Sequence, residues 1–384
     1  MAYCFDLFII GGGINGAGIA RDAAGRGLSV FLADKGEIGG ATSSWSTKLI
    51  HGGLRYLENF EFKLVRESLI EREIIHRIAP EITKPIPFII PYKKDLRPSW
   101  LIKLGLFLYD NLGGKTIIPK STSIDLTKDF PNILKKEYTK GFKYYDIQVD
   151  DKKLTKLNTE DAKKNNAIIL ENQKVIKVDK GNTYWKIYLN CGKVINSKIL
   201  INASGPWINE TLKDVIKIKS YKKIRLIKGS HIIVNKLYEQ ETALTLQNDD
   251  KRIIFVIPYK EKFSLIGTTE IEVKDPENKG IEENEIKYLI DSVNNYFQKQ
   301  ISINDILETY SGIRPLIEDF KEATKVTRDY VFDFSKENEL PLISIYGGKL
   351  TTYRKLSEKV FDCLKDHLPA NSKKPWTHKK KLIS

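Results

Sequence analysis

The stretch from Thr42 to Thr47 places five hydroxyl side chains within six positions, an odd density for a folded core. Residues 51–53 then read His-Gly-Gly, and Arg55 and Tyr56 follow. Hydroxyl groups and bare glycine backbone can donate hydrogen bonds to phosphate and sugar oxygens. An arginine can bind two oxygens of a phosphate group at once. Hydroxyl clusters alone more often form turns or caps, so the surrounding elements must decide whether this stretch belongs to a binding site.

The elements before this stretch supply that context. They are an apolar strand at 5–10, the spacing G-x-G-x-x-G at Gly11, Gly13 and Gly16, a helix over 14–26, and a second apolar strand ending in Asp34. The glycine spacing alone is weak evidence for a nucleotide site, but this order of elements within about 30 residues is typical of a dinucleotide-binding βαβ unit. Gly13 lets a pyrophosphate reach the helix N-terminus, and Asp34 can accept hydrogen bonds from both ribose hydroxyls. An acid there disfavours a 2′-phosphate, which argues against NADP.

The hydroxyl stretch favours FAD over NAD as the dinucleotide. NAD dehydrogenases do not usually need such a stretch, whereas the longer FAD needs further donors for its pyrophosphate, ribityl chain and ring system. The predicted donors to phosphate and ribityl oxygens are Thr42, Ser43, Ser44 and Ser46. Lys48 and the backbone of Leu49 can meet the flavin ring, and His51 is expected beside it.

Composition and charge limit the other functional classes. The chain has 384 residues, of which 41% are hydrophobic and 29% charged, so it can form two or three globular domains. The net charge of +14 permits anionic partners, but no nucleic-acid-binding motif is present. Cys4, Cys191 and Cys363 lack metal-ligand spacing, which predicts no metal site and fits a reducing cytoplasm. The N-terminus runs directly into a strand, so no signal peptide is expected.

Two segments allow more than one interpretation. The apolar run "WLIKLGLFLYDNL" (100–112) is too short to span the roughly 30 Å of a bilayer core. It is either a buried helix or an interfacial helix whose apolar face would carry Trp100, Leu104, Phe107 and Leu108. The basic segment "KKPWTHKKK" (373–381) is either a frayed tail or a contact for a membrane or a partner.

Several sequence blocks resemble the FAD-dependent, quinone-linked glycerol-3-phosphate dehydrogenases. The first is "ATSSWSTKLIHGGLRYLENFEFKLVRESLIERE", which begins at residue 41. The later blocks are "LRPSWLIKLGLFLYDNLG" (96–113), "IRLIKGSHIIV" (224–234), "LQNDDKRIIFVIPYKEKFSLIGTTE" (246–270), and "YSGIRPL", "TRDY" and "YGGKLTTYRK" between 310 and 355. The resemblance implies oxidation of sn-glycerol 3-phosphate to dihydroxyacetone phosphate, with electrons passing to a quinone. It also implies a cytoplasmic protein attached peripherally to the inner face of the cell membrane, with a homodimer as one possible assembly.

Three other functions stay open on the sequence. One is an oxidase that uses O₂ on the same substrate, which peroxide release would reveal. Another is a related flavoenzyme for an amino acid or amine, although the cationic set of Arg55, Arg314 and Lys349 favours a phosphate. The last is a non-catalytic FAD-binding remnant, because members of the resembled family continue into a helical C-terminal domain that this chain is expected to lack.

The resemblance also implies the fold and its division. We expect an α/β, glutathione-reductase-like (Rossmann) FAD-binding domain of the D-amino-acid-oxidase type, and a second α+β substrate domain with an antiparallel sheet. The expected FAD-binding domain is discontinuous, with residues 1–82, 146–215 and 325–370. The expected substrate domain has residues 83–145 and 216–324, followed by a basic tail at 371–384. Local patterns agree, since 173–207 predicts a β-meander with turns at 181–182 and 191–192.

The resembled blocks assign roles to individual residues. The catalytic candidates are His231, Arg314 and Lys349. His231 is the candidate base for the substrate hydroxyl, with a buried core histidine as the ordinary alternative. Lys349 is a second candidate for this base, or it stabilises reduced, anionic flavin. The substrate-binding candidates are Arg55, Tyr56, Thr269 and Arg328, and the remaining cofactor contacts are expected at Val175, Gly205, Gly348, Leu350 and Thr351.

Overall fold

The computed structural model describes residues 3–94, 96–218, 222–318, 329–335, 340–370 and 372–382. The helices are α1 (Ile14–Gly25), α2 (Phe62–Ile78), α3 (Ser99–Leu112), α4 (Leu126–Asp129), α5 (Asp151–Lys164), α6 (Ile208–Glu210), α7 (Glu283–Asn294) and α8 (Tyr353–Leu364). The first nine strands are β1 (Cys4–Ile10), β2 (Val30–Ala33), β3 (Leu49–Ile50), β4 (Thr83–Pro91), β5 (Thr122–Asp125), β6 (Lys140–Val149), β7 (Ile168–Leu170), β8 (Val175–Lys180) and β9 (Trp185–Leu189). The others are β10 (Val194–Asn202), β11 (Ile224–Asn235), β12 (Ala243–Gln247), β13 (Ile253–Tyr259), β14 (Phe263–Gly267), β15 (Ile271–Val273), β16 (Ile306–Ile317), β17 (Val331–Ser335) and β18 (Leu342–Tyr346).

The first sheet carries the dinucleotide pattern. Its strand order is β17-β18-β10-β1-β2-β7, and the four neighbouring pairs from β18 to β7 are parallel. Helices α1, α5 and α8 cover one face, and apolar side chains of α1 and α8 pack on those of β1 and β2. The predicted meander is confirmed as β8, β9 and β10. Parallel strands buried on both faces explain the continuous apolar runs of the sequence.

The second sheet is mainly antiparallel and forms the other wall of the molecule. Its order is β15-β11-β14-β13-β12-β4-β6-β3, with β16 paired to β11 and β5 to β6. Helix α7 packs on one face, while α2 and α3 pack on the other. Strand β3 lies within the range expected for the FAD-binding domain, yet it pairs with β6 of this second sheet. The hydroxyl stretch therefore crosses from one sheet to the other just before β3.

Helix α3 carries apolar side chains both on its buried side and on the side that faces solvent. Ile102 and Leu106 are buried, whereas Trp100, Leu104 and Phe107 are exposed on the opposite side. The fully buried helix is therefore wrong for this side of α3, and the interfacial helix stays a prediction. Among the described residues, no helix has both the length and the apolar character needed to cross a membrane.

The basic tail packs on α1, α8 and α2 over residues 372–382, so the frayed tail is wrong for that segment. The Trp376 indole covers Gly25 and donates a hydrogen bond to the Asp22 carbonyl at 3.1 Å. The guanidinium of Arg21 lies 5.1 Å from the indole ring. At the far end, the Leu382 side chain is buried. The indole and this buried leucine anchor the segment, which its lysines alone could not do.

Candidate active site

A large cavity runs between the two sheets. Its volume is about 1610 Å³, well above the roughly 300–1,000 Å³ typical of small-molecule pockets. The lining begins at the carboxyl ends of β1 and β2 and extends to β16 and α3. Ligands of open α/β sheets bind at the carboxyl ends of the strands, so this is the expected place for a dinucleotide. The extra length leaves room for a second, smaller molecule beyond it.

The glycine-rich turn forms one end of the cavity. Gly11 and Gly13 line it, whereas Gly16 lies behind them in the contact between α1 and the turn. Gly13 caps α1 with extended backbone and without a side-chain hydrogen bond. Gly13 thus provides no side-chain cap at a point where the helix dipole favours an anion, and the Ile14 N–H is instead bonded to Ser43 Oγ.

Asp34 holds this turn and also lines the cavity. Its carboxylate accepts hydrogen bonds from the backbone N–H groups of Gly12 at 2.6 Å and Gly36 at 2.7 Å. Burial raises the pKa of Asp34, while these two hydrogen bonds act in the opposite direction. The carboxylate is thus fixed beside the turn, where its remaining lone pairs can accept ribose hydroxyls.

The hydroxyl stretch mainly builds its own loop. Ser43 lines the cavity, and its Oγ accepts the Ile14 N–H at 2.9 Å. Its own proton is then free to donate toward a phosphate at the start of α1. The other predicted donors already donate hydrogen bonds within the protein. The hydroxyl of Thr42 donates to the Ile313 carbonyl, that of Ser44 to the Gly39 carbonyl, and that of Ser46 to the Asp151 carboxylate. Thr42 and Ser46 line the cavity, whereas Ser44 does not.

Lys48, which was predicted to contact the flavin ring, is not among the residues that line the cavity. Its Nζ pairs with the buried carboxylate of Asp151 at 2.7 Å. Asp151 also accepts a hydrogen bond from the Ser46 hydroxyl at 2.6 Å, so this one carboxylate at the start of α5 holds two residues of the hydroxyl-rich loop. Since Asp151 lies about a hundred residues further along the chain, local sequence gave no sign of this partner.

The middle of the cavity is a seam between two distant segments. His51 and Thr351 both line it, and the His51 N–H donates to Thr351 Oγ1 at 3.2 Å. The other predicted cofactor residues on the cavity wall are Leu49, Val175, Gly205, Gly348 and Leu350. Residues that lie far apart in sequence are thus gathered along one continuous channel.

The far end of the cavity is cationic. Arg314 and Lys349 lie near Tyr56 there, and Arg55, which precedes Tyr56 in the chain, also lines the cavity. The Lys349 ammonium lies 4.0 Å from the centre of the Tyr56 ring. Burial lowers the pKa of Arg314, and Tyr56 opposes that shift. A guanidinium stays protonated in proteins, so this end is built to receive an anion.

The structure places two adjacent threonines on different sides of the cavity wall. Thr269, predicted to bind substrate, is buried and donates its hydroxyl proton to Glu285 at 2.6 Å. Thr268, which the sequence analysis missed, lines the cavity and accepts a hydrogen bond from Arg314 Nη2 at 3.2 Å. Arg328 lies outside the described residues.

His231, the predicted base, lies behind the cavity wall. It is fully buried and its ring stacks on Tyr310 with centroids 4.7 Å apart. Its Nε2 is 3.0 Å from the hydroxyl of Thr47, and Thr47 lines the cavity. Burial lowers the pKa of His231 well below its ordinary value, helped by the charges of Arg314 and Lys48. The lowered pKa favours a neutral imidazole, and the Thr47 hydroxyl connects this imidazole to the cavity.

This depressed pKa predicts an acid-sensitive contribution to stability. The unfolded chain binds a proton at His231 below a pH of about 6.5, while the folded protein does not until its lower pKa is reached. The contribution of His231 to the free energy of unfolding is therefore fully present above pH 6.5 and falls as the pH drops below that value. We expect a His231→Asn variant to lack this component, which amounts to about 1.4 kcal/mol per pH unit. Urea unfolding of both proteins between pH 7.5 and 5.5 measures it, and parallel pH dependences would contradict the prediction.

The residues of the cavity fit FAD. The start of α1, Ser43 and Asp34 provide the donors and acceptors that a pyrophosphate and a ribose require. A side chain at Gly13 would approach Ser43 Oγ to 3.2 Å, so the bare backbone keeps the phosphate position open. The seam of His51 and Thr351 continues this channel toward the cationic end, where a ring system would meet a substrate.

Comparisons with known proteins point to the same cofactor. The profile of the FAD-dependent oxidoreductases matches residues 6–354. A glycerol-3-phosphate dehydrogenase of Pseudomonas aeruginosa is 46% identical over 389 residues, covering 100% of this chain and 75% of that protein. A D-erythritol 1-phosphate dehydrogenase of Brucella abortus is 45% identical over 381 residues, covering 97% of this chain and 76% of that protein. The crystal structure of a Bacillus halodurans glycerol-3-phosphate dehydrogenase complexed with FAD matches with a TM-score of 0.73 at 29% identity, covering 97% of this chain and 66% of that one.

Proposed function

Because the chain belongs to the FAD-dependent oxidoreductases and, within them, to the glycerol-3-phosphate dehydrogenase family, we propose that it oxidises sn-glycerol 3-phosphate to dihydroxyacetone phosphate. The observation that carries the proposal is that three cationic side chains, Arg55, Arg314 and Lys349, line one cavity, with Arg314 and Lys349 both near Tyr56. An amino acid would need one cation for its carboxylate, whereas a phosphate dianion is matched by several.

In this proposal Arg314 is the main phosphate ligand. Its guanidinium is held on one side by Thr268 at 3.2 Å and lies 3.8 Å from the Glu270 carboxylate on another. These contacts orient the guanidinium while Arg55 and Lys349 supply further positive charge from other elements. With its phosphate fixed there, the substrate extends its carbon chain toward the middle of the cavity.

The substrate's C2 hydroxyl needs a proton acceptor as C2 is oxidised, and bound FAD supplies the two-electron acceptor for the hydride. His231 is neutral and bonded to Thr47, so the hydroxyl proton can pass through Thr47 Oγ to His231 Nε2. Lys349 lies on the cavity wall just before α8, where its charge and the helix N-terminus favour negative charge on a reduced ring.

We propose a quinone as the final electron acceptor and attachment to a membrane surface at α3. Two observations support this choice. Leu101, Leu104 and Leu108 of α3 line the cavity, so its wall on this side is apolar. Trp100 and Phe107 on the same helix are exposed to solvent, as a helix lying in a bilayer interface requires. An apolar quinone dissolved in the bilayer would thus meet the cavity at this helix.

The visible spectrum of the purified protein tests the substrate. Under anaerobic conditions, sn-glycerol 3-phosphate should bleach the flavin bands, and glycerol or D-amino acids should not. Re-oxidation of the reduced protein by a short-chain ubiquinone, faster than by O₂, would support the quinone. Flavin bands that persist with glycerol 3-phosphate would contradict the proposed substrate, and rapid peroxide release would contradict the quinone.

A second candidate substrate is D-erythritol 1-phosphate, because a 45% identical relative is named for it. Both compounds are polyol phosphates, so the same cationic end would hold either one. The two are separated by comparing kcat/KM in the same spectral assay. A higher value for the erythritol phosphate would make this protein a dehydrogenase of the longer substrate.

A further inference from the structure

The buried carboxylate of Glu285 is the centre of a polar cluster behind the cavity wall. Its Oε1 accepts hydrogen bonds from Thr269 Oγ1 at 2.6 Å and Ser230 Oγ at 2.7 Å. Its Oε2 lies 2.9 Å from the Nζ of the fully buried Lys228. The same oxygen accepts the backbone N–H of Glu282 at 2.9 Å. A buried charge with this many partners is rigid, and it joins α7 to two segments of the second sheet.

The partners of Glu285 alternate with residues that face the substrate end. Lys228 and Ser230 point to the cluster, and Gly229 between them faces Arg314. A Cβ at Gly229 would lie 2.4 Å from Arg314 Nη2, so the guanidinium rests on bare backbone there. Successive residues of a strand point to opposite faces, which produces this alternation.

The segment after β14 repeats the arrangement. Thr269 points to Glu285, and its neighbours Thr268 and Glu270 line the cavity. Thr268 Oγ1 accepts a hydrogen bond from Arg314 Nη2 at 3.2 Å, and Glu270 Oε1 lies 3.8 Å from Arg314 Nη1. Three neighbours of the guanidinium are therefore each one residue away from a group that Glu285 holds.

We propose that Glu285, acting through Thr269, is a positioning residue that fixes Arg314 for phosphate binding. Thr269 fits this role because its hydroxyl makes two bonds at once. It donates to Glu285 and accepts the Ser230 N–H at 2.9 Å, which locks the turn onto β11. An arginine side chain that is already fixed loses less conformational entropy on binding than a free one. Neither Glu285 nor Thr269 touches the substrate in this account, which rests on the proposed function.

The test is Thr269→Val, which keeps the side-chain shape and removes both hydrogen bonds. We expect the KM for glycerol 3-phosphate to rise about 10-fold, with kcat changed much less and FAD content unchanged. The Kd for inorganic phosphate, measured by calorimetry on the FAD-loaded protein, should rise by a similar factor. Thr269→Ser should restore both values, because it keeps the hydroxyl group.

A double-mutant cycle separates positioning from a general structural effect. If Thr269 acts through Arg314, the variant's effect on KM should vanish when Arg314 is already lysine. Ser264→Ala is the matched control: this buried hydroxyl on the same sheet bonds the Leu237 N–H, and its loss should leave KM unchanged. Glu285→Gln, which keeps the side-chain volume, should raise KM in the same way. This variant replaces Thr269→Val as the test if Thr269→Val does not fold.

An unchanged KM in Thr269→Val, or an equal increase in the Arg314→Lys background, would overturn the inference. Failure of the proposed function looks different, since the wild-type protein would then not be reduced by glycerol 3-phosphate. The calorimetric titration with inorganic phosphate still decides in that case, because equal Kd values for wild type and Thr269→Val reject the positioning role.

Discussion

Replacing Arg314 by alanine is expected to lower kcat/KM for glycerol 3-phosphate by about 1,000-fold, or about 4 kcal/mol of transition-state stabilisation. The substitution removes the proposed phosphate ligand and leaves Glu270, which lies 3.8 Å away, without that compensating charge. Truncating one member of a buried charged contact typically costs about 2–5 kcal/mol. Steady-state kinetics with a quinone analogue, and anaerobic reduction of the bound flavin, measure the loss.

Two companion variants make this result specific. Arg314→Lys keeps the charge but cannot bind two phosphate oxygens in a fork, so an intermediate loss of about 100-fold is expected. Arg225→Ala is the control, because this arginine pairs with Glu272 near the protein surface on the same sheet. It should leave kcat/KM unchanged. An Arg314→Ala enzyme within 10-fold of wild type would show that the phosphate is held elsewhere in the cavity.

The dinucleotide end could be predicted from sequence because its signal is local. Gly11, Gly13 and Asp34 lie within one βαβ unit, and the turn, the helix start and the acid follow from residue types at fixed spacing. The structure places all three on the cavity wall. Strand and helix positions near them were equally accessible, since buried parallel strands and a small-residue helix leave clear patterns.

The substrate end depends on pairing that the sequence does not reveal. Which of Thr268 and Thr269 faces the cavity depends on how the chain leaves β14, whose last strand residue is Gly267. Both are threonines, so residue type cannot decide between them. The depth of His231 is likewise set by its cross-strand partners Gly267 and Tyr310, which lie far along the chain. The bare glycine opposite the histidine leaves space for the ring to lie flat, but only the strand pairing identifies that glycine.

The hydroxyl stretch is a second case in which long-range contacts could not be predicted from the sequence. Its composition correctly marked a segment on the cavity, but not which protons are already used. Lys48 and Ser46 both turn to Asp151, an acid that is unremarkable in sequence at the start of α5. Charges that fold a loop and charges that bind a ligand have the same residue types. Only the long-range partner distinguishes them.

Replacing Gly11 by alanine is expected to abolish FAD binding. The glycine has φ +103°, and an added Cβ would lie 2.5 Å from the Ala203 carbonyl oxygen. That oxygen belongs to backbone held between β10 and the turn, so it cannot move without displacing the phosphate-binding loop. We expect the variant to purify without flavin, with a Kd for FAD raised by at least about 100-fold, equivalent to about 2.7 kcal/mol. The ratio of flavin to protein absorbance and a titration with FAD measure the effect.

Gly27→Ala is the matched control for this loss. Gly27 lies just after the end of α1, has φ +88°, and has open space where its Cβ would be. It therefore incurs the same kind of backbone strain, about 1 kcal/mol, without a clash. The control should unfold at a slightly lower temperature yet keep its full complement of FAD. If both variants lose the cofactor equally, strain and stability govern FAD binding; if only Gly11→Ala does, the close approach of the turn to Ala203 is what builds the phosphate site.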